Sequence, residues 1–343
     1  VSKINAVEER KMNAKKWLLL MAMVLACLVV SAPNGPVAAE RTVITLSGAG
    51  PQGRWFKEVS LFGKILSQKM SDVTVNGVIG KGVSVGNIKR IAAGKIEGGR
   101  FYLFDLENAY NNKLQFAQGN YKDVVVWMKL GTHLFRVVAT IDIKKFSDLK
   151  GKKVAIGVKG SGDDALAIRI LAAYGVNEGN TKFQFVGRSD GQAALANGQI
   201  DAIAYAYARN NKGHLGPIFA ARKIGVDVDF VEPDDDKNAA FLASDKTFFL
   251  DTYGEPAFGR PNLKGIAFYQ GMAISAKVPD ELVYRMTKTL YENWDEVLAS
   301  APWWKGPGEA SLESAPVITT VAYHPGAIRY YKEKGVWQKY HKD

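Results

Sequence analysis

The sequence predicts an α/β protein of two lobes with a ligand cleft between them, and three observations carry that expectation. Short β-branched runs alternate with stretches whose apolar residues recur at three-to-four spacing. The alternation restarts once, past Lys150, so one set of βαβ units follows another. Each set places a glycine-rich loop directly after its first strand, where open α/β sheets bind ligands beside helix amino termini. Repetition of the unit points to two lobes rather than to one sheet.

The elements follow in order. Thr42-Val43-Ile44-Thr45-Leu46 is a buried strand ending in Ser47-Gly48-Ala49-Gly50, and Phe56, Val59, Phe62, Ile65, Leu66 and Met70 mark the helix after it. Val73 to Ile79 is a second strand, stopped by Gly80-Lys81-Gly82; Ser84 then caps a helix bearing Ile88, Ile91 and Ala92. Arg100 to Phe104 is a third strand, and His133 to Ile143 is extended chain between the sets. In the second set Val154 to Gly157 is a strand, Gly160-Ser161-Gly162 a loop, and Asp163 and Asp164 open a helix with Leu166, Ile170 and Leu171. Lys182 to Val186 is a strand, Gly191 to Ala196 a helix, and Ile200 to Tyr205 a strand. After Pro279 a long helix runs from Asp280 to Leu298, bounded by Pro302, and an amphipathic stretch spans Pro325 to Lys334. Exposed N–H groups at helix starts favour anions such as carboxylates.

Composition narrows the function. The 343 residues are 47% hydrophobic and 23% charged, which is the balance of a folded chain. A single cysteine, Cys27, excludes intramolecular disulfides, cysteine zinc clusters and CxxC redox chemistry. Lys11, Lys15 and Lys16 precede an apolar run from Trp17 to Val30, and Val37-Ala38-Ala39 has the small residues of a cleavage site. That is the layout of a secretory signal over residues 1–39, and the run falls short of the roughly 20 residues a spanning helix needs. Cys27 ends a lipobox-like Val24-Leu25-Ala26-Cys27, but Leu25 is large for its place and apolar residues continue beyond the cysteine. The leader carries five basic and two acidic residues, so the 304 residues after it keep a charge of +8. Their Lys and Arg residues are scattered, with no aromatic–basic stripe for stacking bases, so no nucleic-acid partner is expected.

Gly82-Val83-Ser84-Val85-Gly86 matches the G-x-S-x-G nucleophile elbow, which makes an exported serine hydrolase the opposing expectation, with His324 or His214 as the base. Only one strand precedes that of the motif, and no His-Gly-Gly-Gly loop accompanies it. The other glycine loops fail the nucleotide fingerprints: Gly80-x-Gly82-x-x-x-Gly86 has one residue too many, and no G-x-x-x-x-G-K-[ST] occurs. His133, His214, His324 and His341 are isolated, and Asp234-Asp235-Asp236 lacks the spacing of a calcium loop, so no metal is expected. Trp303-Trp304 reads as packing.

Five elements, taken in order, resemble the TAXI (TRAP-associated extracytoplasmic immunogenic) solute-binding proteins of tripartite ATP-independent periplasmic transporters. They are the strand and loop Leu46 to Phe56; Gly82 to Ile88 with Ala92-Ala93-Gly94; Leu149 to Gly157 with Gly160-Ser161-Gly162; Gly198-Gln199-Ile200-Asp201-Ala202; and His324-Pro325-Gly326-Ala327-Ile328-Arg329-Tyr330-Tyr331-Lys332-Glu333-Lys334-Gly335. The chain departs from the family pattern at Gln52-Gly53-Arg54-Trp55, where Gly-Gly-x-Tyr is usual, and at Gly94 to Arg100. The resemblance implies a type II periplasmic-binding-protein fold with no catalysis and no cofactor. It implies a monomeric, periplasmic receptor that delivers a small organic acid or acidic amino acid to integral-membrane TRAP transporter subunits.

On that reading lobe one comprises residues 40–140 and 268–343, and lobe two residues 141–267. Ser47, Ser84, Asn87 and Ser161 are the expected hydrogen-bonding side chains, with Gly48 and Asp163 in the same loops. Arg54 or Lys81 is expected to pair with a carboxylate, and Trp55 and Tyr205 to pack on apolar parts of the solute. His324 is expected to cap or pack the last amphipathic helix.

Overall fold

A computed structural model describes residues 41–343 except 52, 210–214, 256–258, 307 and 343. The segment expected to be a leader, residues 1–39 with its Cys27, therefore lies outside the described residues, as do Gln52 and His214. The first set is β1 (Thr42–Ser47), α1 (Arg54–Lys69), β2 (Val73–Val78), α2 (Val83–Ala92) and β3 (Gly98–Tyr102), with α3 (Leu103–Tyr110) directly after it. β1 pairs in parallel with both β2 and β3, which obliges the intervening helices to cross over the sheet. The apolar spacing of α1 is realised as a buried face of Val59, Phe62, Ile65 and Leu66.

Next comes β4 (Val124–Thr140), buried along all but its last residue, as expected of a strand covered on both faces. The second set is β5 (Lys153–Ala155), α4 (Gly162–Ala173), β6 (Lys182–Gln184), α5 (Arg188–Ala196) and β7 (Ala202–Ala208), again with a parallel first strand between the other two. It is followed by α6 (Leu215–Lys223), β8 (Val228–Val231), α7 (Asp235–Ser244), β9 (Phe248–Glu255) and β10 (Arg260–Ser275). The helices α8 (Asp280–Glu292), α9 (Trp294–Ser300) and α10 (Pro325–Glu333) complete the chain.

The expectation of two separate sheets needs correction. One hydrogen-bonded sheet runs β2-β1-β3-β10-β4-β7-β5-β6, with β8 on β4 and β9 on β10. The reason is the length of β4 and β10, 17 and 16 residues, which lie antiparallel and belong to both halves. Gln270 to Ile274 of β10 pair with β3, whereas its segment from Arg260 to Phe268 pairs with β9. Likewise His133 to Ala139 of β4 pair with β7. Two register shifts in the β10–β4 ladder, at Gln270/Gly271 and Met272/Ala273, bend the shared ribbon near this change of partners.

Besides shifts of a few residues at strand and helix ends, three differences from expectation have a clear physical reason. β3 stops at Tyr102, because Leu103 and Phe104 turn into α3 with Asp105 in its first turn, where a carboxylate favours a helix start. The single helix expected over Asp280–Leu298 is two, because Asn293 (φ −114°, ψ 27°) leaves helical geometry and its amide donates back to the Thr289 carbonyl at 2.8 Å. The start of α2 is capped by Gly82 in the left-handed region (φ 76°), not by Ser84. His324 does cap α10: its Nδ1 accepts from Gly326 N–H at 3.1 Å, and Nε2 lies 2.9 Å from the Val278 carbonyl.

A buried ion pair sits under the first half-sheet. Glu58 of α1 and Arg100 of β3 meet at 2.9 Å with essentially no exposure. Arg100 also donates to Gln270 Oε1 of β10, which accepts from Trp55 Nε1 at 2.8 Å, and Trp303 Nε1 donates to Glu58 at 3.1 Å. Four segments distant in sequence are therefore joined by one polar cluster.

Candidate functional site

Two of the glycine loops face each other across a cavity of about 760 Å³. Its first wall is the start of α2, Gly82 to Gly86, with Tyr102, Asp105 and Gln115 behind it. Its second wall is Gly160 to Ala165 at the start of α4, with Ile168 and Arg188. The two helix starts come from opposite halves of the sheet, and each carries the partial positive charge of an amino terminus.

The geometry of α2 explains both glycines of the apparent nucleophile elbow. Gly82 occupies the left-handed region, and a Cβ on Gly86 would stand 1.8 Å from the Lys81 carbonyl oxygen. Val83 is also left-handed (φ 48°), an uncommon state for a β-branched residue, and no side chain caps the helix. The serine is turned inward: Ser84 Oγ accepts from Tyr102 N–H at 2.9 Å. No histidine is hydrogen-bonded to Ser84 among the described residues, and both ring nitrogens of His324 are occupied at α10.

The start of α4 is more internally satisfied. Ser161 Oγ accepts from Asp164 N–H at 3.4 Å, and the Asp164 carboxylate accepts from Gly160 and Ala165 N–H, both at 2.7 Å. The two carboxylate oxygens of Asp163 accept from Nε and Nη2 along one edge of the Arg188 guanidinium, at 2.8 and 2.7 Å. Asp105 is differently placed. It is 4% exposed, Oδ1 accepts from Gln115 at 3.2 Å, and Oδ2 is buried with no hydrogen-bond partner. Burial pushes its carboxyl up to about 7, against the pull of the Ser84 hydroxyl, the Arg169 charge and the Gln115 amide. Valines 83 and 85, Ala165, Ile168 and the Tyr102 ring supply the apolar part of the wall.

Of the ten residues expected at the site, Ser84, Ser161 and Asp163 line this cavity. The others stand around it. Asn87 is buried and donates to the carbonyls of Gly48 (2.9 Å), Arg100 (3.0 Å) and Ser47 (3.3 Å), pinning α2 to β1 and β3. Ser47 Oγ accepts from Arg90, and Gly48 is pressed against α1, where a Cβ would fall 2.6 Å from the Trp55 carbonyl oxygen. Trp55 packs on Tyr102 (4.7 Å between rings) behind the wall, and Arg54 lies over Trp303. Tyr205 is buried under the second wall, donating to the Val186 carbonyl at 3.2 Å just ahead of α5. Lys81 is exposed beside the loop.

Sequence reasoning missed Tyr102, Asp105, Gln115 and Arg188. Tyr102 ends β3 and Arg188 follows the end of β6, so the rule that ligands gather at carboxyl ends of strands could have found them. Asp105 and Gln115 carry no local signal.

Asn87→Ala should cost about 1–3 kcal/mol, the range for stranding buried polar groups. The denaturant midpoint will report it; an unchanged midpoint would mean that the three carbonyls find other donors.

The fold and its cleft between two half-sheets define a class, the two-lobed α/β fold of periplasmic binding proteins. A similar structure is the binding-protein component of an ABC phosphonate transporter from Pseudomonas aeruginosa, with a TM-score of 0.50, 12% identity, and 77% of this chain and 80% of that one covered. PhnD1 from Prochlorococcus marinus, in complex with methylphosphonate, aligns over 87% and 98% at 10% identity and a TM-score of 0.48. SsuA, the periplasmic aliphatic sulphonate binding protein from Escherichia coli, aligns over 77% of each chain at 15% identity and a TM-score of 0.43. By sequence the chain belongs to the NMT1-like family, whose profile matches residues 46–335.

Proposed function

We propose that this protein is an extracytoplasmic solute-binding receptor, which captures a small organic acid or amino acid in the cleft and delivers it to a membrane transporter. The observation that carries the reading is the cavity walled by two helix starts from opposite halves of one sheet. A solute there touches both halves at once, so binding favours the closed arrangement of the halves over an open one. The uncapped start of α2 presents its amino terminus to an anionic head, and the apolar wall takes the body of the solute. The TAXI-like order of glycine loops supports a TRAP-type transporter as the partner, and the signal-like residues 1–39 support export to the periplasm. No helix among the described residues is long and apolar enough to cross a membrane.

The test is a thermal-shift screen of the purified protein against monocarboxylates, dicarboxylates, keto acids, amino acids and sugar acids. A solute at 100 times its dissociation constant adds about 2.7 kcal/mol. For a chain of this length the midpoint should rise on the order of 2–5 °C. One chemical class of responders is the expected result. A flat screen, with no small molecule released on denaturation by mass spectrometry, would refute the receptor reading.

A further inference from the structure

The charges lining the cavity do not suit every organic acid. Three carboxylates, Asp105, Asp163 and Asp164, share the walls with one guanidinium, that of Arg188. The guanidinium is already held bidentately by Asp163, and Asp164 is tied to two backbone N–H groups. Asp105 remains. It lines the cavity, it is buried, and one of its oxygens has no hydrogen bond. An acceptor left in that condition disfavours a second negative charge nearby and favours a donor, above all a cationic one.

Taking the cavity as the solute site of the proposed receptor, we infer that Asp105 selects solutes bearing an ammonium group. The solute is then a zwitterion with one carboxylate at the start of α2, an ammonium on Asp105 and an apolar body against Val83, Val85 and Ile168. A monocarboxylic amino acid with an apolar side chain has this pattern; a dicarboxylate lacks the donor and adds a charge. The preference is set by the walls themselves, since helix starts alone would accept either kind of acid.

Matched pairs test the inference. Calorimetry on the wild-type protein compares L-norleucine with hexanoate and L-phenylalanine with 3-phenylpropanoate, with adipate as the dianion. The amino acids should bind at least about 10-fold tighter than their deaminated partners, and adipate should bind no better than hexanoate. Measured at pH 8, above the range near 7 to which burial pushes the Asp105 carboxyl, Asp105→Asn keeps the shape and removes the charge, so it should melt no lower than wild type and bind the amino acids about 10- to 150-fold more weakly. Its affinity for hexanoate should be unchanged or higher. Deaminated acids or adipate binding as tightly as the amino acids would overturn the inference and leave the receptor standing. An unchanged amino-acid affinity in Asp105→Asn would do the same. If no member of either class binds the wild-type protein, the inference falls, and the broad screen with mass spectrometry decides the receptor reading separately. Should the variant fail to fold, the matched pairs on the wild-type protein decide alone.

Discussion

Gly86→Ala is expected to melt several degrees below the wild-type protein and to lose its response to solute. The added Cβ would lie 1.8 Å from the Lys81 carbonyl oxygen and 2.8 Å from its carbon, and both atoms are backbone. The turn at residues 80–82 must therefore move, and the first turn of α2, which makes one wall of the cavity, moves with it. Overpacking of this kind costs about 3 kcal/mol at the upper end of its usual range. With an unfolding entropy near 2.1 cal/mol/K per residue, that lowers the midpoint by roughly 5 °C. Gly94→Ala is the control. Gly94 is left-handed (φ 65°) but faces open space, so its cost is the conformational penalty of about 1–2 kcal/mol, with binding intact. A Gly86→Ala protein that melts and binds like wild type would show that the loop accommodates the methyl group, against the geometry described above.

Arg100→Met should be as severe for stability. It leaves Glu58 buried with its directly paired countercharge removed and only the more weakly acting Arg54 nearby, and breaking one side of a buried pair costs about 3–5 kcal/mol. Burial already pushes the Glu58 carboxyl up, against the pull of Arg100, and pushes the guanidinium down, against the pull of Glu58. The substitution also removes the guanidinium stacked over Trp55, 5.1 Å from its ring centre, and one of the two donors to Gln270. Denaturant unfolding of the single variant and of Glu58→Gln/Arg100→Met separates these contributions. The double variant should recover much of the loss, because a neutral amide is cheaper to bury than a carboxylate. If the single variant loses under 1 kcal/mol, the pair is not the junction described here.

Where the chemistry is local, the sequence is legible. The periodicity of Val59, Phe62, Ile65 and Leu66 is the buried face of α1, and Ser161 ahead of two aspartates is the start of α4. Both walls of the cavity lie on glycine loops that sequence alone singles out. The legible part ends where a partner comes from far along the chain. Asn87 looks like a ligand donor from its place beside a glycine loop, but its partners are the carbonyls of Ser47, Gly48 and Arg100. Asp105 is hidden by a boundary, since the β-like run Arg100–Phe104 gives no sign that the chain turns into a helix at Leu103. Ser84 resembles a cap because serine favours that position, yet the left-handed turn at Gly82 and Val83 places it two residues further in. The continuity of the sheet has the same cause. His133 to Ile143 reads as extended, but only the pairing of β4 with β10 shows that one ribbon serves both halves.

That ribbon also constrains the order in which the molecule can assemble. In the first half-sheet β10 lies between β3 and β4, and the bond from Arg100 to Gln270 joins residues 170 positions apart. As the chain emerges from its amino end, β3 therefore presents a bare edge until nearly everything else has been made. The second set has no such delay, since β5, β6 and β7 are neighbours in sequence and in space. Contacts of long sequence separation form slowly, and unpaired strand edges invite association with other chains. The amino-terminal half of the sequence is thus the last to acquire its complete sheet, and arrival of β10 is the event that closes it.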